Sequence, residues 1–230
     1  MHRMQIAIDG PAGAGKSSVA KEVARRLGLH YLDTGAMYRA ITYKALQEGI
    51  DLTDGAKLAQ AACSCNLGFE QDEETAAGTR IFLDNEDITA AIRSSEINKH
   101  VSIVSKSPEL RSELVALQRK IAKNSDGIVM EGRDIGTNVL VQADFKFFIS
   151  ASVEERARRR WQEMKKKGID YPFDDIKAEI IMRDEIDQGR EVSPLTIAPG
   201  AEIIDTTTYT EDEVVEKLLS YINTTVKEVG

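Results

Sequence analysis

The sequence predicts an α/β fold: a five-stranded parallel sheet flanked by helices, with a small antiparallel β insert and a helical lid. Three observations predict it. Five short apolar runs, at residues 4–8, 30–32, 127–130, 145–149 and 202–204, read as strands buried on both faces. Helical patterns separate them, as parallel crossovers require. Residues 66–88 break that rhythm with three short strand-like segments at 67–70, 80–83 and 87–88, the last two joined by a turn at Asp84-Asn85-Glu86.

The first run, Met4-Gln5-Ile6-Ala7-Ile8, leads into Gly10-Pro11-Ala12-Gly13-Ala14-Gly15-Lys16-Ser17-Ser18, which contains the spacing G-x-x-x-x-G-K-[ST]. A helix opens at once, with Val19, Val23 and Leu27 on one face and Gly28 closing it. Strand, glycine-rich loop and helix is the context of a phosphate-binding loop. Glycines let the backbone N–H groups turn toward phosphate, and the helix adds the positive end of its dipole. Lys16 would place a charge on the β- and γ-phosphates, and the Ser17 hydroxyl could ligate a Mg²⁺ ion carried in with the nucleotide. A chance glycine-rich turn would not reproduce the spacing, the Lys-Ser pair and both flanks together. The chain is therefore expected to bind a nucleoside triphosphate, with Gly10 through Ser18 forming its phosphate cradle.

Past the second run stands Asp33-Thr34-Gly35-Ala36-Met37-Tyr38-Arg39, and past the third Glu131-Gly132-Arg133-Asp134-Ile135-Gly136. Residues beyond the carboxyl ends of parallel strands line the ligand crevice of an open α/β sheet. Arg39 and Arg133 are thus expected to converge near the phosphate loop, where their planar forks suit a second, acceptor phosphate. Asp33 and Asp134 could orient a metal-bound water, position an arginine or bind the substrate directly, or simply cap a turn or helix. Ser107-Pro108-Glu109 signals the start of a helix, as do Ser152 with Glu155 and Thr210 with Glu213. The last helix, about 210–229, carries Val214, Val215, Leu218, Leu219 and Ile222 on one face.

After the fourth run comes Glu154-Glu155-Arg156-Ala157-Arg158-Arg159-Arg160-Trp161, followed by Lys165-Lys166-Lys167. Pairs such as Glu154 with Arg158 and Glu155 with Arg159 explain some of these arginines as a solvated face. Three arginines in a row point further, to a closing lid whose Arg159 and Arg160, ahead of Arg156, meet the phosphates in transfer and exclude water. Arg183, Asp187 and Arg190 recur at i, i+4 and i+7. On a continuing helix they would share one face, either as a salt-bridged surface, Arg183 with Asp187, or as a site for an acceptor ribose and phosphate.

The chain-wide properties bound the reading. A length of 230 residues with 42% hydrophobic content suits one domain with insertions. A net charge of −8 argues against a general nucleic-acid surface, leaving only Arg158–Arg160 and Lys165–Lys167 in its favour. No apolar stretch suggests a signal peptide or membrane span, so a cytoplasmic protein without a membrane partner is expected. Cys63 and Cys65 with three scattered histidines, His2, His30 and His100, do not form a metal site, and the cysteines read as reduced apolar residues.

Taken together, the phosphate loop, Asp33–Arg39, Gly132–Gly136 and Arg183–Arg190 closely resemble the bacterial cytidylate kinase family of P-loop nucleoside monophosphate kinases. The resemblance runs in order over essentially the whole chain. It implies a P-loop kinase core at 1–40, 106–153 and 186–230, a monophosphate-binding region at 41–105 holding the insert, and a lid region at 154–185. It further implies transfer of the γ-phosphoryl group of MgATP to CMP or dCMP by a monomer. Through it, Thr34, Arg39 and Arg133 would hold the acceptor phosphate. Ser102 and Arg111, with Asp134 nearby, would read the cytosine ring, and Arg183, Asp187 and Arg190 would face the acceptor sugar and phosphate. Lys16, Arg133, Arg159 and Arg160 would supply the catalytic charges. Two other readings stay open: a kinase for UMP, AMP or a non-nucleotide acid on the same core, and a nucleotide-dependent ATPase or switch without an acceptor.

Overall fold

A computed structural model describes residues 3–72, 78–166 and 168–229, without the side chains of 227–229. His2 and Lys167 lie outside the described residues, as does the part of the insert at 73–77. The elements follow as β1 (Gln5–Asp9), α1 (Lys16–Leu27), β2 (His30–Asp33), α2 (Thr34–Gln47), α3 (Gly55–Ser64), β3 (Leu67–Gln71), β4 (Thr79–Leu83) and β5 (Glu86–Asp87). Then come α4 (Ser95–Val104), α5 (Pro108–Asn124), β6 (Ile128–Gly132), β7 (Phe145–Ser150), α6 (Val153–Lys166), α7 (Phe173–Gln188), β8 (Glu202–Asp205) and α8 (Glu211–Val229).

All five apolar runs are strands of one parallel sheet in the order β2-β6-β1-β7-β8. Central β1 and β6 are almost wholly buried, which is why they read as unbroken apolar runs rather than alternating ones. One face of the sheet packs Met37, Ile41, Leu58, Leu110 and Leu114 from α2, α3 and α5. The other packs Val19 and Val23 of α1 against Val214, Val215, Leu218 and Ile222 of α8. Each of those α8 side chains contributes about 1.5–3 kcal/mol by leaving water.

The helix signals act as expected. Ser107 Oγ accepts from Leu110 N with Pro108 in the first turn, and Gly28 closes α1 in the left-handed region at φ 67°. Thr210 and Glu213 exchange both bonds of a capping box, whereas Ser152 accepts from Glu155 N while the Glu155 carboxylate turns to Arg158 and Arg159.

The insert is antiparallel, β3-β4-β5, and its tight turn is Asp84-Asn85, both at positive φ (51° and 72°). Glu86 already pairs with Leu83, so the turn is two residues long, as the twist of a hairpin favours. Ile81, Leu83, Ile88 and Ile92 join Ala36 and Ala40 of α2 in a small core of their own. Helices α6 and α7 form a hairpin with a separate apolar cluster of Ala157, Ile176 and Ile180, backed by Trp161 and Phe173. Among the described residues, no helix is long and apolar enough to cross a membrane.

Candidate active site

The carboxyl ends of β1, β2 and β6 bring the site together, because parallel pairing puts Asp9, Asp33 and Glu131 near one edge of the sheet. From β1 the chain turns sharply at Gly10, where a Cβ would sit 1.9 Å from the Ile149 carbonyl, so no side chain fits. Gly13 and Gly15 take positive φ (76° and 88°), whereas Ala12 and Ala14 do not. Such alternation turns successive N–H groups to one side and forms an anion-binding concavity. Lys16 is buried, and its ammonium donates to the Pro11 carbonyl at 2.8 Å. Burial and the Arg133 charge lower its pKa from 10.5 to about 7, against the pull of Glu131 and Asp9.

Two carboxylates not singled out from the sequence stand behind the loop. Asp9 accepts from Ile135 N (2.7 Å) and Gly136 N (2.8 Å), anchoring a π-helical turn at Ile135–Val139, and burial raises its pKa to about 6. Glu131 accepts from Tyr31 Oη at 2.8 Å and from the Ser17 hydroxyl, and its pKa is raised by burial and by Asp33. Each immediately follows or ends an apolar run, which was the available signal. Ser17 therefore offers a hard oxygen beside buried carboxylates, a donor set that fits Mg²⁺ arriving with phosphate oxygens and water.

Across from the loop lies a second cationic group. Arg39 is held by Asp33 (2.5 Å), which also caps α2 by accepting from Ala36 N, so both readings of Asp33 hold at once. Arg133 donates to Asp187 Oδ2 (2.8 Å), and Arg190 to Asp187 Oδ1 (2.5 Å). The i, i+4, i+7 face ends early: Gly189 N closes α7 onto the Glu185 carbonyl, so Arg190 lies just past the helix. Asp187 is thus gripped by Arg133 and Arg190, not by Arg183 as a surface pair would have it. The buried Nε atoms of Arg39, Arg183 and Arg190 have no hydrogen-bond partner among the described residues. Burial, then Arg133, Arg39 and Arg160, push the Arg183 guanidinium down to about 10, with Asp187 opposing.

Arg111 is buried against Asp134 at 2.6 Å, donates to the Ser105 carbonyl and stacks over the Tyr38 ring, leaving its Nε unpaired. Ser102 lies half-buried on α4. Thr34 donates to the Glu131 carbonyl (2.7 Å), tying the start of α2 to β6.

On the arginine-rich helix, Arg160 pairs with Glu179 at 3.7 Å and stands near enough to Arg183 to repel it. Arg159 is engaged by Glu155, the Ala14 carbonyl and Thr206. Arg158 pairs with Glu155 and Glu154 with Lys177, not with each other. Arg156, ranked last on sequence, is fully buried in a bidentate pair with Asp184.

The phosphate loop, the arginine cluster with unpaired Nε donors and the α6–α7 hairpin, whose Arg156 and Arg159 reach the loop, meet at the carboxyl edge of the sheet. The protein-family model described as cytidylate kinase matches residues 6–224. The chain belongs to the cytidylate kinase family. Curated cytidylate kinases of Caldanaerobacter subterraneus subsp. tengcongensis and Bacillus subtilis are 51% and 48% identical to it. The first alignment covers 97% of this chain and 96% of the relative, the second 96% of each. The cytidylate kinase of an Exiguobacterium species is 52% identical, over 94% of both chains. A gluconokinase structure from Sinorhizobium meliloti 1021 shares the fold, with TM-score 0.52 and 14% identity over 99% of this chain and 97% of that one. As a member of the cytidylate kinase family, the chain is a nucleotide-binding transferase.

Proposed function

We propose that this enzyme transfers the γ-phosphoryl group of MgATP to CMP or dCMP, by in-line attack without a covalent intermediate. The observation that carries the reading is the cation cluster of Arg39, Arg133 and Arg183, with buried unpaired Nε donors on Arg39 and Arg183, facing Lys16 of the phosphate loop. Asp33 and Asp187 pair with Arg39 and Arg133, but Arg183 lies among these cations with its Nε unpaired; a buried charge so placed is costly unless an anion joins it, and a nucleoside monophosphate supplies one. An ATPase or switch without an acceptor has no use for this second cluster.

In the proposed reaction Gly10 through Ser18 hold the triphosphate, and the acceptor phosphate lies against Arg39, Arg133 and Arg183. Mg²⁺, held by Ser17 and phosphate oxygens, would neutralise charge on the donor phosphates. The acceptor oxygen is ionised at neutral pH, so no general base is required. Lys16, Arg133 and Arg160 stabilise the charge spread over the migrating group, and positioning does the rest. The α6–α7 hairpin serves as the lid.

Cytosine offers an amino donor at position 4 and acceptors at N3 and O2. The Arg111–Asp134 pair, with Ser102 on α4, presents the complementary donor and acceptors. Uracil inverts positions 3 and 4, leaving buried polar groups unpaired at about 1–3 kcal/mol each. Steady-state ADP formation with CMP, dCMP, UMP, AMP and GMP is expected to give strong turnover with the first two and kcat/KM for UMP lower by about 10- to 100-fold. Acceptor-independent ADP release would overturn the kinase reading.

A further inference from the structure

We infer that Arg156 and Arg159 act from behind the phosphate loop as positioning residues, aiming its amides at the nucleotide by pinning its carbonyls. This rests on the reading of the loop as the triphosphate site. A trans peptide is planar, so its C=O and N–H point in opposite directions. Fixing the carbonyl of one residue therefore aims the N–H of the next.

Arg156 Nη1 donates to the Ala12 carbonyl at 3.1 Å, which directs the Gly13 N–H the other way. One turn later, Arg159 Nη1 donates to the Ala14 carbonyl (3.4 Å), and Thr206 Oγ1 shares its one proton between the Ala14 (3.1 Å) and Ser150 (3.0 Å) carbonyls, which directs the Gly15 N–H likewise. Ala12 and Ala14 are buried and both of their carbonyls are taken by protein donors, so the amides that follow them point away from those donors. The loop is packed so closely on α6 that a Cβ on Gly13 would sit 3.3 Å from Arg156 Cβ.

Each guanidinium is itself fixed. Asp184 takes Arg156 bidentately (3.0 and 2.5 Å), and the Ala151 carbonyl takes its Nε at 3.0 Å. Glu155 takes Arg159 Nε at 2.8 Å, and the Thr206 carbonyl takes its Nη2 at 2.6 Å. Donors already spent on backbone and carboxylate acceptors are not free for a migrating phosphoryl group. Arg159 thus aims the loop, and Arg160 is left as the lid arginine facing the phosphates. Because Asp184 sits on α7 and Glu155 on α6, the base of the hairpin is tied to the phosphate loop.

The test measures ADP and, separately, CMP binding by titration calorimetry for the intact chain, with thermal unfolding recorded for each variant. Arg156→Lys keeps the charge but cannot bridge Ala12 and Asp184 together. Thr206→Val removes the second grip with little change of shape. Each is expected to weaken ADP about tenfold while leaving the CMP dissociation constant unchanged, the loss of one aimed donor. Unchanged ADP affinity in both variants would overturn the inference. So would equal weakening of ADP and CMP with a lowered Tm, which marks general damage. If the wild-type chain forms no CMP-dependent ADP yet the variants still lose ADP selectively, the acceptor assignment fails and the loop-aiming role stands.

Discussion

Lys16→Ala is expected to lower kcat by about 10²–10³-fold or more, the size of loss that follows removal of one aimed charge in a water-excluded site. Thermal stability near pH 7 should hold or rise, for a reason found in the same side chain. Burial and Arg133 bring the Lys16 pKa to about 7, against 10.5 when exposed. Between pH 7 and 10.5 the unfolded chain binds the extra proton, so stability rises with pH across that window. Below it the buried ammonium charge is a cost, and the alanine variant is free of that cost. Phosphates arriving at the loop should restore the proton. ADP binding to the wild type at pH 8 is therefore expected to take up protons, seen as different apparent enthalpies in HEPES and Tris. A folded variant with near-normal turnover would remove Lys16 from the mechanism. Equal enthalpies in the two buffers would remove the linkage.

The sheet was legible because each strand is a short apolar run; central β1 and β6, buried on both faces, show no alternation, whereas β7 alternates buried and half-buried residues and the edge strand β8 leaves Ile203 exposed. The phosphate loop was legible because a Cβ at Gly10 would collide with the Ile149 carbonyl and the positive φ of Gly13 and Gly15 favours glycine, so geometry writes itself into residue type. The pairings within the site were not. Asp187 could meet Arg183, Arg133 or Arg190, and its choice depends on α7 ending at Gly189 and on the distance between β6 and α7, which local spacing does not encode. Arg159 was placed ahead of Arg156 in the arginine run, yet a three-residue offset on α6 and partners 28 to 145 residues away decide what each touches. Asp9 and Glu131 hid in plain view as polar residues at strand ends, where a turn or cap explains them equally well from sequence.

Arg183→Met is expected to stabilise the folded protein and cripple it. Arg183 sits among Arg133, Arg39 and Arg160, and its Nε is buried without a partner. Its pKa falls from 12.5 to about 10, which means that at every pH below 10 the folded state bears a cost for keeping it charged. Methionine fills similar space without charge, and relief on the order of 1 kcal/mol would raise Tm by roughly 2–4 °C in a chain of this size. The acceptor phosphate, however, loses a charge-assisted donor from a desolvated site, so the KM for CMP should rise about 100-fold. ADP affinity should barely change, since the phosphate loop is untouched. Calorimetric melting and initial rates against CMP concentration decide the matter together. A lowered Tm with an unchanged CMP KM would make Arg183 a structural residue and remove one wall of the acceptor site. The expected opposite result follows from the proposed acceptor role: cations held closer together than folding alone would favour are stabilised when an anion binds them.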